Sequence, residues 1–172
     1  ETTMATNTED LMLEPSVDPK TKKIGVRSVK GRNDAGTRTV INVRHFPEMI
    51  TDEPDSMGGT NTAPSPLETT IAALVGCDGV IINGVATAMG FAYTGVDFDC
   101  TSQIDVRGPK GVKGVKHYFE KVDLTILVYS DESDERFEKL KFNVENRCPV
   151  MNLMKDAGVE LTADWQKKPA EK

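Results

Sequence analysis

Apolar and polar positions alternate with a period of two in several parts of the chain. Residues 23–30 (KIGVRSVK) and 37–46 (TRTVINVRHF) read as strands, and the glycine- and Asn-Asp-bearing GRNDAG between them reads as a hairpin loop. Residues 96–106 alternate most cleanly. Val96, Phe98, Cys100, Ile104 and Val106 share one face, while Asp97, Asp99, Thr101, Gln103 and Asp105 share the other. That is the pattern of a half-buried strand. Residues 117–130 (HYFEKVDLTILVYS) read as its hairpin partner, and residues 159–165 (VELTADW) as a last strand.

Between these stretches the period changes to that of a helix. Ser65 is a good N-cap, Pro66 suits the first helical position, and Glu68 completes a capping box ahead of the apolar run 71–82. Gly84 or Gly90 is expected to break this helix. A second helix fits residues 133–146, with Phe137, Leu140 and Val144 on one stripe. Pro149 interrupts it, and a short helix restarts as PVMNLMKDAG, with Gly158 as its stop. The connection at 47–64, PEMITDEPDSMGGTNTAP, is long and aperiodic, as disordered or functional loops are. The order β-β, α, β-β, α-α, β predicts a single α+β domain over residues 23–165. A polar, poorly ordered segment is expected at 1–22 and a charged tail at 166–172.

Composition narrows the partners. Charged residues make up 28% and hydrophobic ones 38%, an ordinary soluble balance. A net charge of −6 weighs against nucleic acid, which needs a clustered positive field. The basic run RGPKGVKGVKH from Arg107 is spaced with glycines and reads as a solvated hairpin loop. The stretch 71–93 is long enough to raise the question of a membrane span. It carries Asp78, Asn83 and four glycines and lacks basic flanks, so a buried or broken core helix is expected instead. The polar, acidic opening of the chain reads as a frayed terminus rather than a secretory signal, and three cysteines do not suggest a secreted disulfide scaffold. The cytoplasm is the expected compartment.

Chemistry can come from few residues. Two histidines, His45 and His117, and no CxxC pair make metal binding a poor reading, and the Gly58-Gly59 pair lacks the context of a phosphate loop. Cys100 lies on the apolar face of its strand and reads as a small core hydrophobe. Cys148 precedes Pro149, which makes it an N-cap candidate where the helix dipole favours thiolate. Cys77 lies mid-helix on a face with Pro66, Thr70, Ala73, Val80 and Ile81. Periodicity alone favours a core thiol there.

The motif APSPLETTIAALVGC, followed 71 positions later by RCPVMNLMKDAGVELTADW, resembles the OsmC/Ohr family of osmotically inducible and organic hydroperoxide resistance proteins. The likeness spans residues 23–165. It implies an OsmC-like fold, an intertwined homodimer with antiparallel sheets around central helices. It also implies a thiol-dependent peroxidase, in which Cys77 attacks an organic hydroperoxide and the resulting sulfenic acid is resolved by Cys148. No bound cofactor is implied, and an external dithiol of lipoyl type would re-reduce the disulfide. The family holds its thiolate with an arginine from the early hairpin, positioned by a glutamate at the start of the cysteine helix. Arg32 is the first candidate, with Arg38 second and Arg44 next. Where the best-known peroxidases have that glutamate, this chain has Leu67, and the acid follows as Glu68. Nine residues of ideal helix turn through about 900°, which points Glu68 away from Cys77. Glu68 is then a helix cap or an arginine positioner, with Asp52, Glu53 and Asp55 as substitutes in the second role. The departure motivates an alternative, a non-enzymatic redox sensor or small-ligand-binding protein on the same scaffold. A third reading is a fold relative with inert thiols.

Overall fold

The computed structural model describes residues 11–14 and 17–171. The chain divides into two compact units, one running up to Ala72 and the other comprising Ala73 onward together with residues 11–14. Strands β1 (Lys30–Asn33), β2 (Thr39–Asn42) and β3 (Met49–Thr51) form an antiparallel sheet in the first unit, in the order β1-β2-β3. The expected strand at 23–30 is displaced: only Lys30 joins the ladder, and GRN of the expected loop is strand. Ile24, Val26 and Val29 are exposed and lack a neighbouring strand among the described residues. The short β3 falls inside what reads as a connection.

The rest of that connection is organised by one carboxylate. Asp52 is fully buried and accepts six hydrogen bonds. Thr37 Oγ1 (2.6 Å) and the Glu53 amide (2.8 Å) donate to Oδ1. The amide and hydroxyl of Thr60 (3.1 and 2.6 Å) and of Thr62 (3.2 and 3.0 Å) donate to Oδ2. The loop passes so close to itself that a Cβ on Gly59 would lie 1.7 Å from the Glu53 carbonyl oxygen, so only glycine fits.

This loop feeds helix α1 (Pro66–Met89) through the predicted capping box. The Ser65 amide donates to Glu68 Oε2 (2.7 Å), and the Glu68 amide donates to Ser65 Oγ (3.2 Å). Gly84 does not break α1, which runs for 24 residues to a left-handed Gly90 (φ 60°). Phe91 N donates to Ala86 O and Gly90 N to Thr87 O, the paired bonds of a Schellman stop. Arg136 Nη2 also donates to the Met89 and Gly90 carbonyls, setting a cation on the negative end of the helix. By length and hydropathy α1 could cross a membrane, but it carries a buried stripe of Leu74, Asp78, Ile82, Val85 and Ala86. Its other faces, including Val80, are open.

The second unit is built on β4 (Gly95–Gln103), β5 (Lys121–Tyr129) and β6 (Glu160–Lys168), in the order β4-β5-β6. The alternation of β4 is realised up to Gln103; Ile104 and Val106 lie beyond the strand. β5 is central, and Val122, Leu124, Ile126 and Val128 are fully buried. The expected antiparallel sheets need one correction, because β5 and β6 pair in parallel. A parallel partner requires a long crossover. Helices α2 (Asp134–Arg147) and α3 (Pro149–Asp156) supply it and bury Phe137, Leu140, Val144, Met151 and Met154. Trp165 of β6 meets Phe137 edge-on, with centroids 6.2 Å apart. The basic loop after β4 is held by His117 Nδ1 against the Gly108 carbonyl (2.7 Å).

Of the expected N-terminal segment, residues 1–10 and 15–16 lie outside the described residues. Within it, the buried Asn143 side chain accepts from the Leu13 amide (2.9 Å) and donates to the Leu11 carbonyl (2.7 Å).

The Thr37 and Thr60 hydroxyls hold the Asp52 carboxyl far below the usual carboxylate range. Its stabilising contribution is therefore present above about pH 4 and is lost as the pH falls into the strongly acidic range. Asp52→Ala should release the loop from Pro54 to Pro64, read as faster limited proteolysis within those residues at pH 7. Parental cleavage rates would show that the loop is ordered by something else.

Candidate functional site

Cys148 sits at the junction of two helices. Its amide closes α2 by donating to the Val144 carbonyl (2.9 Å), and its Sγ opens α3 by accepting from the Met151 amide (3.4 Å). Pro149 follows, so Cys148 is extended (φ −67°, ψ 113°) rather than helical. Asn152 ties the junction by donating from Nδ2 to the Glu145 and Cys148 carbonyls (3.0 and 2.8 Å). The expected N-cap role is thus met.

The expected electrostatic consequence is overturned. Cys148 is fully buried, and its thiol is pushed far up, first by burial and then by the Asp78 carboxyl. The Met151 amide lowers it, and the Cys77 thiol raises it further. A helix dipole contributes about 0.3–1 kcal/mol near the surface, too little to offset burial beside an anion.

The carboxyl is the residue that sequence patterning missed. Asp78 occupies the centre of the buried stripe of α1, four residues from Leu74 and four from Ile82, and is fully inaccessible. Neither carboxyl oxygen has a hydrogen-bond partner among the described residues. Burial raises the Asp78 pKa to about 6, opposed by the Cys148 thiol and by Lys155, and reinforced by Glu145. The signal was in the sequence, as an acid at a core position of an apolar helix. It was read only as an argument against a membrane span.

Cys77 precedes Asp78 and lies one helical step round, half-buried at the margin of the open face of α1. The Cys77 thiol and the Asp78 carboxyl both act on the Cys148 thiol. Cys100, on the inner face of β4, is pushed up by burial and by the charges of Asp78, Asp99 and Asp123. All three cysteines are free. A cleft of about 290 Å³ lined by Ala92, Tyr93, Thr94, Asp131, Glu132 and Ala170 contains no thiol. Among the described residues no cluster of His, Cys, Asp or Glu is suited to a metal.

The other predicted residues lie in the unit that ends at Ala72. Arg32, on β1, is exposed and pairs with Asp34 (2.5 Å). Arg38 is exposed just before β2. Arg44 has φ 51° and lies over the Phe46 ring, 4.6 Å from its centroid. Glu68 is engaged in the capping box, whose bonds lower its pKa.

A sequence model of the OsmC-like protein family matches residues 59–164. No curated protein matches the chain in sequence. Among solved structures, an OsmC-like protein from Mycoplasma pneumoniae is similar at 17% identity and TM-score 0.67, over 86% of this chain and 99% of that one. An organic hydroperoxide resistance protein from Elizabethkingia anophelis gives 13% identity and TM-score 0.67, over 86% and 100%. One from Legionella pneumophila gives 14% and 0.65, over 84% and 99%. At these identities the likeness establishes the fold.

Because the Asp78 pKa rises on folding from 3.8 to about 6, the native state binds the extra proton between those values. Stability should therefore fall as the pH rises from about 4 to 6, and level off above, by up to ~3 kcal/mol. Urea unfolding across this range should show that slope in the parent and lose it in Asp78→Asn. An unchanged slope in the variant would assign it to another group.

Proposed function

Since the chain belongs to the OsmC-like protein family, we propose that it is a thiol-dependent peroxidase that reduces organic hydroperoxides. Cys77 attacks the terminal oxygen, the alcohol leaves, and Cys77 becomes a sulfenic acid. Cys148 then condenses with it to give an intrachain disulfide and water. A lipoyl-type dithiol returns both thiols, and no bound cofactor takes part. One observation supports the reading: two thiols 71 residues apart in the sequence belong to one compact unit, and the Cys77 thiol acts on the buried Cys148.

Arg32 or Arg38 from the β1–β2 hairpin would favour the Cys77 thiolate in an assembled homodimer located in the cytoplasm. Support for a second copy comes from the open faces of α1 and from Ile24, Val26 and Val29, an exposed apolar segment of the kind that pairs with another chain. The capping-box bonds of Glu68 favour a second reading, because they engage the acid that would position the arginine. That reading is a redox sensor or small-ligand-binding protein on the same scaffold, with oxidation of Cys77 but no turnover.

With cumene or tert-butyl hydroperoxide and a dithiol reductant, the parent should turn over many times, and Cys77→Ser should fall to the uncatalysed background. Peptide mass mapping of the oxidised parent should find a Cys77–Cys148 disulfide. Equal activity in Cys77→Ser would end the peroxidase reading, and a single oxidation without turnover would select the sensor.

A further inference from the structure

We propose that Asp78 is the proton acceptor that converts the buried Cys148 thiol into the nucleophile that resolves oxidised Cys77. The inference rests on the peroxidase reading above and adds to it a residue that this reading leaves without a role.

The case begins with a need. Cys148 has no contact with water, and its surroundings hold it as a thiol, whereas the thiolate is the attacking species. Solvent hydroxide has no access to it. A base must therefore lie inside the protein and against the sulfur. Asp78 meets that description: it is fully buried, both its carboxyl oxygens lack a partner among the described residues, and it and Cys148 each shift the other's proton affinity. Its backbone is fixed in mid-α1, directly after Cys77, so one helical step carries both the electrophilic sulfur and the base. The other groups acting on Asp78 are Glu145, Lys155 and Cys100, from α2, α3 and β4. Glu145 and Lys155 are paired with each other (3.4 Å), and Cys100 is a protonated thiol at neutral pH, so none of these competes for the Cys148 proton.

The step balances without a further reagent. As Cys148 Sγ attacks Cys77 Sγ, the S–H proton passes to the Asp78 carboxylate and the new S–S bond displaces the sulfenic hydroxyl. That hydroxyl takes the proton back from Asp78 and leaves as water. Cys77 sulfur gains one electron and Cys148 sulfur gives one up, and Asp78 ends ionised as it began. With a pKa near 6, the carboxyl is ionised at neutral pH and close enough to it to accept a proton during the attack.

The test separates the two chemical steps. After one equivalent of hydroperoxide, Asp78→Asn should form the Cys77 sulfenic acid at the parental rate, trapped as a dimedone adduct. Disulfide formation should then slow by about 10²–10⁴-fold, the usual worth of a positioned base. In the parent, the disulfide step should rise with pH and level off above about pH 6, whereas in the variant it should climb steadily to pH 9. Parental disulfide rates and pH profile in Asp78→Asn would overturn the proposal. Should the variant not fold, the parental profile alone decides: a plateau above pH 6 supports Asp78, and a tenfold rise per pH unit up to pH 9 excludes it. A parent that forms no sulfenic acid removes the peroxidase reading, and the proposal with it, a result distinct from a normal first step followed by a base-independent second.

Discussion

A carboxyl group kept out of water is the constraint on which this structure turns. An isolated ionised carboxylate costs several kcal/mol to bury even after the protein relaxes around it. Folding ordinarily removes that cost with hydrogen bonds, as it does at Asp52, where six donors converge. Asp78 is equally buried and receives none from the described residues. An apolar side chain at that point of the α1 stripe would pack against the same neighbours without the penalty. The two aspartates therefore differ: one is satisfied and pushed far down, the other is orphaned among the described residues and pushed up, as groups at functional sites often are.

The rest of the second unit fixes the helices that carry that carboxyl and the Cys148 sulfur, two groups that each shift the other's proton affinity. Because β6 runs parallel to β5, the chain must cross the sheet between them, and it does so with two helices rather than one. The break between them is where Cys148 sits, and it is made by local chemistry: Pro149 lacks an amide and forces the preceding residue into an extended conformation. Asn152 holds the two helices at that break, while Arg136 fixes the far end of α1 by its terminal carbonyls. The helices that carry Asp78 and Cys148 are thus each tied down by polar anchors.

Much of this was legible in the chain. The Ser65–Pro66–Glu68 start of α1, the alternation of β4, the extent of α2, the Pro149 restart and the Gly158 stop all follow from local rules, and each is found. Local rules failed where the answer lay in a partner. Residues 23–29 alternate like a strand but have no neighbour to pair with among the described residues, whereas β3 is short and takes its place through β2. The direction of β6 depends on the path of the crossover, which no window of sequence contains. Periodicity favoured a core position for Cys77, which is half-buried instead, and the pairing with a sulfur 71 residues away was an expectation of the family resemblance alone. The dipole argument at Cys148 failed for a related reason. It weighed the helix end alone, and the terms that dominate, desolvation and Asp78, come from another helix.

The two thiols are unequal in a way that orders the proposed chemistry. Cys77 stands at the edge of an open helix face, within reach of a solute, while Cys148 is sealed and kept protonated by the same carboxyl that would later take its proton. A protonated, inaccessible thiol is a poor target for peroxide. It survives the first step for that reason, and becomes useful only when an electrophilic sulfur is created beside it, so that attack and proton loss proceed together. Cys100 is kept protonated in the same way, by burial and aspartate charge. In the proposed cycle burial is a timing device as much as a stabilising one, because it would silence Cys148 until the first step creates its electrophile.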